Sequence, residues 1–197
     1  MILSEVEIQK ALKSEKIFIT PAPLKNQYDT SSLNLRISDE FKEFDPDLFD
    51  PKGVAIQLDY DALDPNKLKP YLKLLPVEAD GTVILEPKKK LVLATTLESI
   101  YLPRESGIAA RIEGRSSIAR LGLVVHLSAP AVKMGWKGPL TLEVVNFGPF
   151  HIKLHPKKSQ ICHLIFERVD GKAKAPDSQF HNQDTVMGRK KKGRPKR

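Results

Sequence analysis

The feature that most constrains the fold begins at Thr82. From there to Val169 the chain is a succession of short segments rich in Val, Ile and Leu, each closed by glycine or proline: TVILEP, KLVLATTLESIYLP, GIAARIEG, LGLVVHLSA, GPLTLEVVNFG, FHIKLHP and QICHLIFERV. β-Branched side chains favour extended backbone, and glycine and proline interrupt it, so each segment predicts a strand and each interruption a turn. The expectation is a mainly β fold, a distorted barrel or jelly roll of short antiparallel strands, in preference to βαβ units. A chain of 197 residues that is 41% hydrophobic can bury one sizeable core of this kind.

Upstream of Thr82 the pattern changes. Ser4 and Glu7 stand at capping-box spacing, and Ile8, Ala11 and Leu12 share a face, which predicts an N-terminal helix from Ser4 to Ser14 that braces the domain. KIFITPAP reads as a short strand stopped by prolines, and SSLNLRI, Ser31 to Ile37, alternates as a half-buried strand does. Between Asp39 and Asp80 acids and prolines are frequent and the patterning is weak. That stretch reads as an excursion from the body, a long loop with small strands.

The formal charge of +8 has a position as well as a sum. RKKKGRPKR, residues 189–197, holds seven of the 32 lysines and arginines, so the remaining 25 nearly balance the 24 acids. The folded body is close to neutral, and the basicity belongs to a tail. DGKAKAPDSQ, after Val169, has the composition of a linker. The expected organisation is one domain over residues 1–183 and a basic, disordered tail over 184–197. KKGRPKR resembles the core of an AT-hook, in which an extended Gly-Arg-Pro lies in the minor groove of A·T-rich DNA, so DNA is a candidate partner through residues 189–197. A solvated basic terminus is the simpler reading.

Cys162 is the single cysteine, which excludes an intramolecular disulfide, and no closely spaced Cys/His cluster suggests a zinc site. The opening MILSEVEIQKAL is too charged for a signal peptide, and no apolar run approaches the length that crosses a bilayer. The expectation is a cytoplasmic protein without a membrane partner.

Two stretches carry chemistry. GRSSIAR, Gly114 to Arg120, sets backbone amides and a glycine beside two hydroxyls and two guanidinium groups, a combination suited to phosphate oxygens. A tight turn with Arg120 in a surface ion pair is the alternative. TLEVV places Glu143 between Leu142 and Val144 in an otherwise apolar strand. A buried carboxylate is costly unless paired or functional, so Glu143 reads as a general acid and base tuned by burial and by an arginine such as Arg120. A solvated, outward-pointing Glu143 is the alternative.

RIEGRSSIARLGLVVHLSA, continued by GWKGPLTLEVVN, resembles the signature of the dCTP deaminase branch of the trimeric dUTPase superfamily. The likeness extends through LVLATTLESIYLP, NFGPFHIKLHPKKSQICHLIFE, SEVEIQKALKSEKIFITP and YDTSSLNLRI. It implies a dUTPase-like homotrimer with sites at subunit interfaces, converting dCTP and water to dUTP and ammonia. By this resemblance Glu143 corresponds to the catalytic glutamate that shuttles a proton between the attacking water, the cytosine N3 and the amino group. Ser116 and Arg120 would position the water and stabilise charge around it. The run Arg115, Ser116, Ser117, Ile118, Ala119 and Arg120 corresponds to the phosphate-binding segment, shared in part with a neighbouring subunit. Thr141 and Leu142 correspond to main-chain contacts with the base or sugar, and Ala129 to a small residue of the base pocket. Gln183 corresponds to the glutamine of a C-terminal segment that closes over the triphosphate. Magnesium would enter with the triphosphate, and no zinc is implied. The zinc-dependent deaminases use a His/Cys, Glu and PCxxC set, which one cysteine does not supply.

The chain departs from the family pattern at two places. Val132, Lys133, Met134 and Gly135 stand where the family has Ile-Asp-Pro-Gly, so a cation replaces the acid expected near the deoxyribose. The related dUTPases use the corresponding aspartate in hydrolysis, and dUTP diphosphatase activity is therefore not expected. Gln179 and Phe180 stand where the family has Lys-Tyr, which removes a phosphate-binding charge. A nucleotide-binding relative with weak turnover is the alternative function. His126 and Trp136 fit the signature, and their simplest reading is a satisfied core histidine and a packing tryptophan.

Overall fold

The computed structural model describes residues 1–48, 68–87, 89–171 and Val186. Gln179, Phe180, Gln183 and the basic run 189–197 lie outside the described residues, as does the part of the excursion from 49 to 67.

The described strands in chain order are β1 (Phe18–Thr20), β2 (Tyr28–Asp29), β3 (Ser32–Phe44), β4 (Leu72–Leu74), β5 (Val83–Leu85), β6 (Lys89–Tyr101), β7 (Ile108–Gly114), β8 (Leu123–Val124), β9 (Ala131–Val132), β10 (Lys137–Asn146), β11 (Ile152–Leu154) and β12 (Gln160–Arg168). Ten of them form one curled sheet along the path β8-β10-β6-β3-β12-β7-β9, with β1 added to β6 and β2 and β4 added to β3. β5 and β11 make a separate two-stranded sheet. Every one of these pairings is antiparallel, as the short β-branched segments predict. The expectation of a mainly β fold of short antiparallel strands therefore holds.

Alternation decides which face of each strand meets the core. In β10, Leu140, Leu142 and Val144 are buried, while Thr141, Glu143 and Val145 face the other way and are half-buried. Leu33, Leu35 and Ile37 of β3, Ile112 of β7, and Leu164 and Phe166 of β12 meet them inside. Burying such a side chain stabilises the fold by roughly 2 kcal/mol each.

The N-terminal helix α1 (Glu5–Lys13) forms where expected, with Ser4 as N-cap and Ser14 as C-cap. The Ser4 hydroxyl oxygen accepts the Glu7 N–H at 3.4 Å. Glu7 does not return the bond to close a capping box. Its carboxylate accepts instead from Lys10 and from Arg168 at the end of β12, each at 2.9 Å, so the helix is fastened to the sheet it braces. Ile8 and Ala11 are the buried face.

The excursion begins later than the sequence suggests. β3 continues from Ile37 through Phe44, because Phe41 is buried and the Ser38 hydroxyl is hydrogen-bonded to that of Thr95 at 2.7 Å. A register shift between Ile37 and Phe41 breaks the alternation there, and the acids Asp39, Glu40 and Glu43 mask what remains of it. β4 then pairs back onto β3, Lys42 with Leu74 and Phe44 with Leu72.

The deepest ionic group is Glu98 of β6, fully buried. Its carboxylate accepts from Arg36 Nε and Gln27 Nε2 at 2.8 Å and from the Arg36 backbone N–H at 2.9 Å, joining β6 to β3 and to the turn before β2. Three charge-assisted bonds satisfy a carboxylate that burial would otherwise penalise.

At the other end of the chain, Val186 is only 4% exposed and packs against Leu93. Packing on the fold thus reaches three residues beyond the expected domain end at 183.

Candidate active site

β7 ends at Gly114, and the chain turns at once into a single helical turn, α2 (Ser116–Ala119). Arg115 is extended, and its carbonyl accepts from Ile118 and Ala119 at 3.1 and 2.9 Å. The two arginines of the stretch separate here. Arg115 Nη1 donates to the Gln160 carbonyl of β12 at 3.0 Å, a bond that secures the turn to the sheet. Arg120 is exposed, as are Ser116, Ser117 and Ala119, while Ile118 is half-buried and packs on the core.

The far end of this turn is fixed by a backbone crossing. The Phe147 N–H donates to the Gly122 carbonyl at 2.9 Å, and Gly148 passes so close to Leu121 that a Cβ there would overlap its carbonyl oxygen. Gly122 has φ +90°, and its own missing Cβ leaves room for Gly148. Asn146 completes the junction, accepting the Gly148 N–H at 3.1 Å and donating to the Leu85 and Phe150 carbonyls at 3.0 and 2.7 Å.

That crossing sets the register of β8 on β10: Val124 opposite Val145, and Leu123 opposite Asn146. The chain leaving β8 at Val124 brings His126 and Leu127 to Glu143. The Glu143 carboxylate accepts the backbone N–H of Leu127. Burial is the largest influence on it and pushes its pKa above the ordinary 4.5, while the Leu127 N–H and the nearby His126 oppose the shift. The Nδ1 of His126 is itself buried with no hydrogen-bond partner among the described residues. Glu143 is thus a carboxyl with raised proton affinity, held on one side by a backbone donor. Such a group is suited to accepting and returning a proton.

Within one chain the phosphate-suited turn and this carboxyl are close in topology but not joined. The turn meets β10 at Asn146 to Gly148, and Asn146 is three residues from Glu143, about 10 Å along a strand. The groups acting on the ionisation of Glu143 are the Leu127 N–H, its own backbone and His126; Arg120 is not among them.

The remaining predicted residues fall around this row. Thr141 shares the face of Glu143, and its hydroxyl donates to the Val186 carbonyl at 3.3 Å. The side chain of Leu142 is fully buried on the core face, so only its main chain is available to a ligand. Ala129 is exposed in the loop after β8. Lys133 is exposed at the start of a turn whose Trp136 N–H donates to the Lys133 carbonyl at 3.1 Å. Trp136 packs on the core and donates through Nε1 to the Gly138 carbonyl at 3.0 Å, the packing role expected of it.

The sequence reading treated His126 as a core residue and did not single out Leu127 or Val186. The approach of His126 and Leu127 to Glu143 follows from the register of β8 on β10, Val124 opposite Val145, which local patterning does not specify. A cavity of about 390 Å³ also opens beside β10, but Val144 and Asn146 line it, with Val92, Glu43 and His151, so it lies on the face away from Glu143. Among the described residues no three His, Cys, Asp or Glu side chains gather to hold a metal ion, and no helix is long and apolar enough to cross a membrane.

Comparison with known proteins agrees with this geometry. Residues 2–169 match the family model described as dCTP deaminase-like. A protein of Methanosphaera stadtmanae named "dCTP deaminase, dUMP-forming" is 33% identical over 187 residues, covering 95% of this chain and 89% of its own. A Colwellia psychrerythraea protein named "dCTP deaminase" is 32% identical over 199 residues, covering 98% of this chain and 93% of its own. The crystal structure of 2'-deoxycytidine 5'-triphosphate deaminase from Agrobacterium tumefaciens superposes with a TM-score of 0.62 at 19% identity, covering 84% of this chain. The chain spans about half of that structure, 47% of its length, and the likeness is one of fold. The family match, the curated relatives and the curled antiparallel sheet together assign this chain to the dCTP deaminase-like family.

Proposed function

We propose that this chain is a dCTP deaminase, a hydrolase that converts dCTP and water to dUTP and ammonia. The observation that carries the reading is Glu143, a half-buried carboxyl with raised proton affinity beside His126 and the Leu127 N–H, in a chain similar over nearly its whole length to proteins named dCTP deaminase.

In this reading Glu143 takes a proton from the water that attacks C4 of the cytosine and delivers it first to N3. The tetrahedral centre then collapses, and the amino group leaves as ammonia with the second proton carried by the same carboxyl. Burial keeps that carboxyl basic enough to receive each proton and acidic enough to release it. Ser116 and Arg120 supply donors to the water and to the developing charge. The exposed hydroxyls and guanidinium of the Ser116–Arg120 turn bind the triphosphate, which arrives as its magnesium complex. One carboxylate and one imidazole form no protein-held metal cage, and a nucleotide that brings its own ion fits this donor set.

The separation of that turn from Glu143 within one chain supports a homotrimer in which a neighbouring subunit completes each site. A second reading, dUMP as the final product, is favoured by the names of the relatives from Methanosphaera stadtmanae and Methanothermobacter thermautotrophicus, both "dCTP deaminase, dUMP-forming". Lys133, a cation where the family pattern has an acid, opposes it.

Purified full-length chain is incubated with dCTP and magnesium, ammonia is measured, and the nucleotides are separated by anion exchange. Ammonia with dUTP is expected. Ammonia with dUMP and diphosphate selects the second reading, and tight dCTP binding by calorimetry without ammonia refutes both in favour of a nucleotide-binding protein.

A further inference from the structure

Three strands, β1, β6 and β10, lie side by side at one end of the large sheet. Phe18 of β1 stands opposite Tyr101 of β6, and Tyr101 stands opposite Lys137 of β10. Directly opposed side chains share a face, so the three form one row across the sheet. The Phe18 and Tyr101 rings are stacked with centroids 5.5 Å apart at an interplanar angle of 23°, and Lys137 Nζ stands 5.4 Å from the Tyr101 centroid. Thr20, Ser99 and Pro139 make the next row on the same face. Ile19 and Ile100, which alternate with these residues, are buried on the other face.

The outer face is aromatic and basic. Phe18 is 38% exposed, and the two rows contain a lysine and no acid. Exposed Lys16 precedes Phe18 by two residues. Past Tyr101, the Leu102 N–H donates to the Trp136 carbonyl at 2.9 Å and the Gly135 N–H to the Leu102 carbonyl at 2.6 Å. These bonds hold together the two turns that carry exposed Arg104 and exposed Lys133, and the Arg104 side chain lies against Gly135. Lys16, Arg104, Lys133 and Lys137 thus border the rings, while the exposed acids next to them in sequence are Glu15 and Glu105. Lys137 is six residues along β10 from Glu143, about 20 Å, so this surface is separate from the proton carrier.

We propose that this face is a docking surface for single-stranded nucleic acid, in which a base stacks on the Phe18–Tyr101 pair and the phosphodiester backbone runs past Lys137 and the neighbouring cations. The local excess of cations selects a polyanion, and the exposed rings select one whose bases are free to stack. Every base has a π face, so such a surface holds a strand without reading its sequence. In a duplex the bases already stack on one another, and only the phosphates remain for the lysines. The surface goes beyond the deaminase reading and does not depend on it.

Full-length wild type, Phe18→Ala, Phe18→Trp and Lys137→Ala chains are titrated into fluorescein-labelled oligodeoxythymidylate and into a duplex of equal length, with anisotropy read over a series of salt concentrations. Phe18→Ala should weaken binding of the single strand by about tenfold, the scale of one lost base–aromatic stack, and leave duplex binding unchanged. Phe18→Trp should restore wild-type affinity. Lys137→Ala, at an exposed position, should lower the slope of log affinity against log salt by about 0.7, the share of one phosphate on a single strand. Thermal midpoints should stay close to wild type. Failure of wild type to bind the oligonucleotide overturns the proposal, and so does single-strand affinity that is unchanged in both Phe18→Ala and Lys137→Ala. An equal loss for strand and duplex in Phe18→Ala overturns the stacking role. A fall in oligomeric mass of Phe18→Ala by sedimentation would assign the face to a contact between copies of this chain and would also overturn it.

Discussion

The carboxylate of Glu143 accepts the N–H of Leu127, the residue after the histidine whose charge also acts on it. This contact gives the carboxyl a fixed direction while burial gives it a raised pKa. Glu143→Gln keeps the shape and removes the proton carrier. Ammonia release from dCTP is expected to fall by about a thousandfold, the scale of general acid–base catalysis, with the oligomer and nucleotide binding retained. Substantial turnover in that variant would refute the assigned role.

The same residue makes a stability prediction with a definite sign. Burial raises the folded pKa of Glu143 above 4.5, so the folded state holds the proton more tightly than the unfolded chain does. Ionised Glu143 therefore weakens the fold at pH values above its folded pKa, and protonation removes that cost as pH falls towards 4.5. Glu143→Gln should be more stable than wild type near neutrality, with the gain shrinking as the solution is acidified. Thermal melts at a series of pH values check the direction.

Glu98 is the contrasting carboxylate. It is fully buried, but Arg36 and Gln27 satisfy it, and it lies in the frame away from the row of Thr141 and Glu143. Glu98→Ala leaves the Arg36 guanidinium, only 14% exposed, without its partner, and should cost about 3 kcal/mol in urea unfolding. Turnover per folded molecule should not change.

The crossing of Gly122 and Gly148 predicts a third kind of failure. Gly148→Ala drives a methyl group into the Leu121 carbonyl, backbone against backbone, so neither side chain can yield. The variant should lose about 3 kcal/mol of stability. Because the same crossing holds the end of the Ser116–Arg120 turn, its KM for dCTP should rise as well.

Lys133 bears on the product. Lys133→Asp restores the acid of the family pattern at an exposed turn, where it should leave folding unaffected. If the acid is what hydrolysis lacks, diphosphate release from dUTP should rise above the wild-type level while ammonia release from dCTP continues. Anion-exchange separation of dUTP from dUMP reads both at once.

The strands, the N-terminal helix and the phosphate-suited turn were legible in the sequence because each is a local matter. Alternation along TLEVV, the Ser4 cap and the glycine before Arg115 act over a few residues. The full length of β3 was not legible, since a register shift and a cluster of acids interrupt the periodicity between Ile37 and Phe44. Nor was it legible that Arg115 secures the sheet while Arg120 faces outward, because the partner of Arg115 is the distant Gln160.

By itself the sequence determined a mainly β chain, its family, and a carboxylate set between two apolar residues of a strand. Tertiary structure alone decided which groups surround that carboxylate. The Leu127 N–H and His126 arrive through the register imposed at the Gly122–Gly148 crossing, and Val186 arrives from near the C-terminus onto Leu93. Periodicity shows which face a residue takes. The neighbours that set its pKa are chosen by long-range pairing and by the volume left between backbones.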